Sequence, residues 1–396
     1  MLNLRFITKP LILLACGHLV TDLSQGALPA LLPFLKAKFA LSYVQVGFIV
    51  LLQNITSSVI QPIFGYLSDK ISMPKLLPLG ILVSGLGMSA TGLVNSYYLM
   101  IATIIVGGLG VAAFHPQGSK STHFVSSITT RGSSMGFFSV GGNLGLALGT
   151  ILMSFLLSLS GGLNNTIYFA LPAVIMALLF WLNMTYFMTT PQEKSATSPP
   201  DKSAQQSINF AFLSLLLAVI FVRSSIHTGL TTYIPLYYSE YLGGSPVYAS
   251  YLLAAYLMTG VVGTFIGAAL SDRYGRKTVI MFSMLGSLPF LILLPYTSGM
   301  ATLIVLGAIG LILVSSFATT LVFAQEMMPG YIGIASGLTV GFSIGLGGLG
   351  ATILGYIADN FGIANVFSIL AVMPIVGAFM TTFLPGKTST QVKSST

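Results

Sequence analysis

The chain has 396 residues, of which 54% are hydrophobic and only 6% charged: 16 Lys and Arg against 8 Asp and Glu. A soluble protein of this length carries roughly 100 charged residues, and no soluble fold hides so much apolar surface behind so few charges. With a mean hydropathy of +0.91, the composition excludes a soluble enzyme, a nucleic-acid binder and a disordered chain, and leaves a polytopic membrane protein.

A membrane helix needs about 20 predominantly apolar residues. Apolar runs, cut at charges and at Pro/Gly/Asn or Ser/Thr clusters, number twelve: 10–34, 43–67, 75–94, 97–117, 133–158, 166–188, 209–236, 247–270, 278–297, 301–324, 333–357 and 365–384. They are too long and too uniformly apolar for outer-membrane strands. The first is no cleaved signal peptide, because it is long, carries Asp22 and leads straight into a second run.

The first run places Asp22 about 12 residues past its inner end, about 18 Å deep at the helical rise. His18 lies one turn earlier on the same face, and Gln25 three residues later. The second run carries Gln53, Ser57 and Gln61 at four-residue spacing, with Asn54 and Ser58 alongside. That stripe reads as a cavity wall or as helix–helix hydrogen bonding. The fourth run ends at His115-Pro116, where loss of a backbone donor is expected to stop the helix; His115 reads equally as a functional group or as a packing or capping residue at the membrane interface. His123 is expected in a loop. The fifth run holds Asn143 and the glycines Gly136, Gly141, Gly142, Gly145 and Gly149, several four apart, a spacing that lets backbones approach closely and equally lets helices bend and slide.

The only long polar stretch, Thr189–Ser207, has the composition of a flexible linker. Beyond it the seventh run holds Arg223, about 21 Å deep by the same rise, with His227 one turn later and Tyr233 and Tyr237 beyond. The eleventh run repeats the glycine pattern at Gly337, Gly341, Gly345, Gly347, Gly348 and Gly350. No Gly-Lys-Ser/Thr follows either row, so these are not phosphate loops. The third, sixth and twelfth runs are poor in strongly polar groups.

Lys and Arg set the orientation. With the N-terminus inside, the inner segments hold Arg5, Lys9, Lys70, Lys75, Lys120, Arg131, Lys194, Lys202, Arg273, Arg276, Lys277, Lys387 and Lys393, thirteen of the sixteen basic residues. The outer loops hold Lys36 and Lys38. The expected organisation is a six-helix bundle over 1–188, a cytoplasmic linker over 189–208, a second six-helix bundle over 209–384 and a cytoplasmic tail over 385–396. The halves look duplicated. Gly65-Tyr-Leu-Ser-Asp69-Lys70 recurs as Ala268-Ala-Leu-Ser-Asp272-Arg273 at a shift of 203, and Ser133-Ser-Met-Gly136 as Ile334-Ala-Ser-Gly337 at a shift of 201. Duplication around a linker is a transporter signature and predicts a substrate site near the midplane.

The segment Gly267-Ala-Ala-Leu-Ser-Asp272-Arg273-Tyr-Gly275-Arg276-Lys277 resembles the loop motif of the major facilitator superfamily. More narrowly, the chain resembles that superfamily's fosmidomycin resistance group. The matching pieces are His18-Leu-Val-Thr-Asp22, Gln61-Pro62 with Gly65-Tyr66 and Asp69-Lys70, Phe114-His115-Pro116, Gly141-Gly142-Asn143-Leu-Gly145 and Ala324-Gln325-Glu326-Met-Met-Pro329-Gly330. The resemblance implies an all-α fold of twelve helices in two pseudo-symmetric bundles, and a monomeric, proton-driven exporter of drug-like molecules in a bacterial cytoplasmic membrane. It also implies that the third, sixth and twelfth spans lie peripherally. Two departures stand out. Proton-coupled drug exporters of the superfamily often carry Gly-Pro in the fifth span where this chain has Gly149-Thr150, and the first copy of the loop motif has Ser72, Met73 and Pro74 in place of a glycine and two basic residues.

An ionisable group inside a span costs roughly 2.5–3.5 kcal/mol on insertion scales and is a functional candidate by default. Asp22 and Arg223 are expected to pair across the two halves. His18 and His227, within reach of them, are suited to relaying protons. A static Asp–Arg pair that merely sets helix packing is the plainer alternative. Gln25, Gln53, Asn54, Ser57, Gln61, His115, Asn143, Tyr233 and Tyr237 are expected to line the substrate path. Asp69 and Asp272 are placed to latch onto the N-termini of the eleventh and fifth spans, with Lys70, Arg273, Arg276 and Lys277 locking the inner face, and Glu326 with Arg131 as another gate. Three deep histidines and an aspartate spread over the first, fourth and seventh runs show no metal-ligand spacing, so no metal and no cofactor are expected. Partners are a small molecule, protons and lipid, with no nucleic acid. Arg223 favours an anionic or polar substrate unless Asp22 occupies it. An uptake symporter on the same fold remains open, since direction depends on coupling. A membrane-embedded enzyme lacks a nucleophile–base set, and a channel lacks a charged ring.

Overall fold

The computed structural model describes residues 7–127, 131–188, 209–328 and 332–386, which are helical with no strand among them. In chain order the long helices are α1 (Lys9–Phe39), α2 (Tyr43–Ser68), α3 (Leu76–Leu93), α4 (Tyr97–Val125), α5 (Ser134–Ser158), α6 (Gly162–Leu182), α7 (Phe210–Tyr241), α8 (Pro246–Tyr274), α9 (Arg276–Tyr296) and α10 (Gly299–Met327). α11 (Ile332–Phe361) and α12 (Ile363–Thr382) complete the series. Eleven of the twelve are long and apolar enough to cross a membrane, and α11 is an apolar, glycine-rich helix of 30 residues. The linker expected over 189–208 lies outside the described residues.

The helices run past several of the expected ends. Lys36 and Lys38, expected in a loop, lie in the last turn of α1, where cations meet carbonyls that have no helical partner. Lys38 Nζ donates to the Gly92 and Val94 carbonyls at 3.2 and 2.6 Å. The larger correction concerns α4. Pro116 does not end it; the helix continues to Val125. A proline deletes one donor, and in a membrane bundle neighbouring groups and small local adjustments make good that loss. His123 is therefore an exposed residue of the last helical turn, not of a loop, and His115 belongs to the helix interior. α2 carries a π-turn over Ile55–Val59. The wider turn buries Thr56, Ser57 and Ser58 together while Ile55 and Val59 stay exposed.

The described residues fall into two compact units. The first takes Met1–Leu41, Leu52–Gln192 and Tyr238–Ala254; the second takes Ser42–Leu51, Glu193–Tyr237 and Ala255–Thr396. Each is mostly one half of the sequence plus a short stretch from the other.

Glycine sets how closely the helices pack inside the first unit. A Cβ on Gly141, Gly145 or Gly149 of α5 would sit 2.2, 2.3 and 2.2 Å from the carbonyl oxygens of Ala15, Leu19 and Leu23 on α1. A Cβ on Gly26 would meet the Leu146 carbonyl oxygen at 1.9 Å. The four-residue row thus brings α5 backbone onto α1 backbone, as small-residue packing in membranes requires. Thr150, where a proline is often found, donates its hydroxyl to the Gly26 carbonyl at 2.7 Å and ties the same two helices. α6 turns Leu171, Leu178, Trp181 and Leu182 outward, an apolar surface suited to lipid.

In the second unit the same device joins α11 to α7: a Cβ on Gly350 would meet Ser225 Oγ at 2.2 Å. The Asp359 carboxylate accepts from the Tyr43 and Val44 amides at 2.7 and 2.9 Å, capping the N-terminus of α2.

Gly149→Ala should lower thermal stability by about 1–3 kcal/mol, because a methyl has no room against the Leu23 carbonyl. Gly136→Ala, with nothing within 4 Å of its Cβ, should leave the melting temperature unchanged. Equal melting curves for the two variants in detergent would remove the close-packing account.

Candidate functional site

α1 buries Asp22 within the first unit, with its side chain 7% exposed. Its Oδ1 lies 2.8 Å from His115 Nε2 of α4 and accepts from Gln25 Nε2 at 3.3 Å. Its Oδ2 lies 3.3 Å from His18 Nε2, one turn back on α1. The i,i+4 pairing of His18 and Asp22 is as expected. The third partner, His115, reaches Asp22 because α4 stays helical through Pro116.

Hydrogen-bond roles fix where the protons are. His18 Nδ1 is 2.8 Å from the Phe138 carbonyl oxygen. A carbonyl only accepts, so Nδ1 carries a hydrogen. Gln61 Nε2 is 2.7 Å from the Ser57 carbonyl oxygen and 3.2 Å from His115 Nδ1. The first contact identifies that end of the amide as the nitrogen, which only donates; His115 Nδ1 therefore accepts, and His115 Nε2 carries the hydrogen given to Asp22. One position remains, between His18 Nε2 and Asp22 Oδ2. With neutral His18 and ionised Asp22, two lone pairs face each other there. A single proton, on either atom, turns that contact into a hydrogen bond.

The surroundings hold this geometry. The His18 ring stacks on Phe138 at 4.1 Å between centroids and meets His115 edge-on at 4.9 Å. Ser57, delivered by the π-turn of α2, donates to Gln25 Oε1 at 3.3 Å. Gly142 of α5 faces the open contact: a Cβ there would lie 2.4 Å from His18 Nε2 and 2.7 Å from Asp22 Oδ2. Phe138 and Gly142 were not among the expected site residues. The signal for Gly142 was a glycine standing beside the four-residue row rather than in it.

His18, Asp22 and His115 also place one ligand atom each within 4.8 Å of one another, a cluster that the spacing along the chain did not reveal. Its donor chemistry fits a metal poorly. His18, with Nδ1–H on a backbone carbonyl, presents a ligating lone pair in the usual way, but Gln61 keeps the His115 lone pair on Nδ1. Two ligands remain where zinc sites use three or four. A proton matches the donor set better.

The other expected residues divide. Gln25, Ser57, Gln61 and His115 join the Asp22 cluster. Gln53 is buried and Asn54 and Asn143 are half-buried. In the second unit, Arg223 Nη2 donates to Ser343 Oγ of α11 at 2.9 Å, and His227 Nδ1 lies 2.7 Å from the Tyr256 hydroxyl of α8. Tyr233 gives its hydroxyl to the Ala351 carbonyl at 2.6 Å, and Tyr237 packs on Phe367 at 4.5 Å between ring centroids. Arg276 bonds to Asp272, to Ser271 Oγ and, at 3.2 Å, to the Glu326 carboxylate. Lys277 Nζ caps the end of α12 through the Thr382 and Leu384 carbonyls at 2.6 and 2.7 Å. The Arg273 guanidinium lies over the Tyr274 ring. The side chains of Asp69, Lys70 and Arg131 lie outside the described residues.

The family model described as Major Facilitator Superfamily matches residues 14–349 and 239–396. The chain is 34% identical over 377 residues to the fosmidomycin resistance protein of Escherichia coli strain K12, covering 94% of this chain and 91% of that one. It is 32% identical over 371 residues to YfnC, an MFS-type transporter of Bacillus subtilis strain 168, covering 93% and 90%. In fold it is similar to a bacterial homologue of the human lysosomal transporter Spinster in an inward-facing, occupied conformation, with a TM-score of 0.80 at 14% identity and coverage of 96% and 97%. A D-xylose–proton symporter gives 0.74 at 17% identity, covering 95% and 97%.

Gly142→Ala pushes a methyl into the open contact. It should lower stability by about 1–3 kcal/mol and move the His18 ring signals in histidine-selective 15N NMR, while His115 keeps its Nε2–H tautomer. Unchanged His18 signals, or a His115 protonated on Nδ1 in the unsubstituted protein, would contradict the proton assignment.

Proposed function

The chain belongs to the major facilitator superfamily, a family of membrane transporters rather than enzymes, and from that premise we propose that it is a proton-coupled exporter of a small drug-like, polar or anionic molecule. It works by alternating access in a bacterial cytoplasmic membrane, with both termini in the cytoplasm. The observation that carries this reading is the Asp22 cluster: a buried carboxylate with donors fixed on one oxygen and one open proton position on the other.

Each state of the site has a distinct cost. Protonated, the His18–Asp22 contact is a satisfied hydrogen bond. Deprotonated, it leaves two lone pairs opposed in a dry interior, where an unmet polar contact is expensive. That difference is what a proton gradient acts on. Loss of the proton drives the α1–α4–α5 contacts towards a second arrangement, and regaining it restores the first. Gln61 holds His115 in one tautomer, so the proton enters and leaves through His18 and Asp22 alone. The relative named for fosmidomycin resistance supports export as the direction. An uptake symporter would use the same proton site, with proton and substrate bound together for the inward step instead of in turn.

Proteoliposomes with an imposed pH gradient, and fosmidomycin as the first substrate tried, test this directly. Asp22→Asn should lose gradient-driven transport by at least an order of magnitude while remaining folded and still exchanging substrate across the membrane without a gradient. His18→Gln should behave likewise. Full gradient-driven transport by Asp22→Asn would sink the reading.

A further inference from the structure

Arg223 poses a problem that its own unit does not solve. The residue is 3% exposed. One nitrogen, Nη2, donates to Ser343 Oγ at 2.9 Å, and Nε meets no acceptor. Its Cζ lies over the Phe317 ring of α10, 5.0 Å from the ring centroid. A guanidinium offers five N–H donors and carries a full charge, so a single hydroxyl and an aromatic face satisfy little of it. The described carboxylates of the same unit are engaged elsewhere: Asp272 and Glu326 on Arg276, and Asp359 on the Tyr43 and Val44 amides. A charge kept out of water is strongly unfavourable unless it is paired, and a buried polar atom without a partner calls for an explanation.

The residues around Arg223 are arranged for an acceptor. Ser343 Oγ is 2.6 Å from Ser224 Oγ, so a second hydroxyl stands behind the first. α7 and α11 approach closely enough for that contact because residue 347 is glycine; a Cβ there would lie 2.3 Å from Thr228 Oγ1. The Phe317 ring lies against the guanidinium and offers it no hydrogen-bond acceptor. A planar fork of N–H groups with hydroxyls beside it matches an oxyanion, which can accept two parallel bonds.

We propose that Arg223, with Ser343 and Ser224 beside it and its Cζ over the Phe317 ring, binds the oxyanion group of the transported molecule, a carboxylate, phosphonate or phosphate. The counter-charge of Arg223 arrives with the substrate. This gives Arg223 a different partner from the Asp22 carboxylate that its depth and the family resemblance suggested. The assignment rests on the transport reading for what the bound molecule is; the binding itself needs no gradient.

The test is equilibrium binding to the purified full-length protein, followed by calorimetry and thermal shift. Benzoate and phenylphosphonate serve as anionic probes, and benzyl alcohol and benzylamine as neutral and cationic matches. The anions should bind at least about ten-fold tighter than the neutral match, in line with charge-assisted bidentate recognition. Ser343→Ala should weaken anion binding several-fold. Arg223→Lys, which keeps the charge but not the fork, should weaken it about ten-fold. Arg223→Met should abolish it, yet leave the ligand-free protein as stable as before or more so, because an uncompensated buried charge is removed. A structural Arg223 gives the opposite stability result. Benzyl alcohol binding as tightly as benzoate, or anion binding untouched by Arg223→Lys and Ser343→Ala, overturns the assignment. Asp22→Asn should still bind the anions. Anion binding through Arg223 together with normal gradient-driven transport by Asp22→Asn would refute only the proton reading; the reverse pattern would refute only this one.

Discussion

A carboxylate held away from water must have every oxygen answered by a donor, and much of the first unit follows from answering the two oxygens of Asp22. Two donors converge on Oδ1, one from α1 itself and one from α4. To bring α4 there, its helix has to pass through Pro116 without breaking. To fix the tautomer of His115, α2 has to deliver Gln61, anchored in turn by the Ser57 carbonyl. The other side of the site is closed by α5, whose glycines let its backbone lie on α1 and whose Phe138 both stacks on His18 and accepts its Nδ1 hydrogen. Only Oδ2 is left without a fixed donor. The other contacts of the site are closed hydrogen bonds; the His18–Asp22 contact is the one that needs a proton to become one.

The two deep charges of the chain are provided for very differently. Asp22 sits among fixed donors and needs only a proton. Arg223 sits among one hydroxyl, an aromatic ring and an unmet nitrogen. An excess of fixed partners suits a group whose charge state changes while its ligand stays a proton. A deficit suits a group whose partner comes and goes. The same contrast separates Arg276, which is fully engaged by Ser271, Asp272 and Glu326 and reads as a structural clasp, from Arg223, which is not.

Much of this was legible in the sequence. Hydropathy located the spans because a bilayer requires about 20 apolar residues each, and the i,i+4 spacing put His18 beside Asp22 because the period of a helix is fixed. The glycine row announced a close helix contact, though not which helix would be met. What stayed hidden depended on tertiary placement. Pro116 reads locally as a stop, so His115 looked like an interfacial residue and was weighed evenly between roles. The π-turn at Ile55–Val59 re-aims the polar stripe of α2, and no spacing rule marks it. Phe138 contributes a backbone carbonyl, which has no signature in side-chain type. Ser343 and Phe317 matter only because α10 and α11 converge on α7, and a serine or phenylalanine in an apolar run signals nothing by itself.

The claim at the centre of this account is that one proton, shared by His18 and Asp22, is exchanged as substrate binds. Proton uptake or release by the purified protein in weak buffer, titrated with its substrate and read with a pH indicator, measures this without a membrane or a gradient. The account predicts about one proton exchanged per substrate bound, as linkage between a ligand and a single titrating site requires, and none in Asp22→Asn. Substrate binding with no proton exchanged in the unsubstituted protein, or the same exchange in Asp22→Asn, would contradict it.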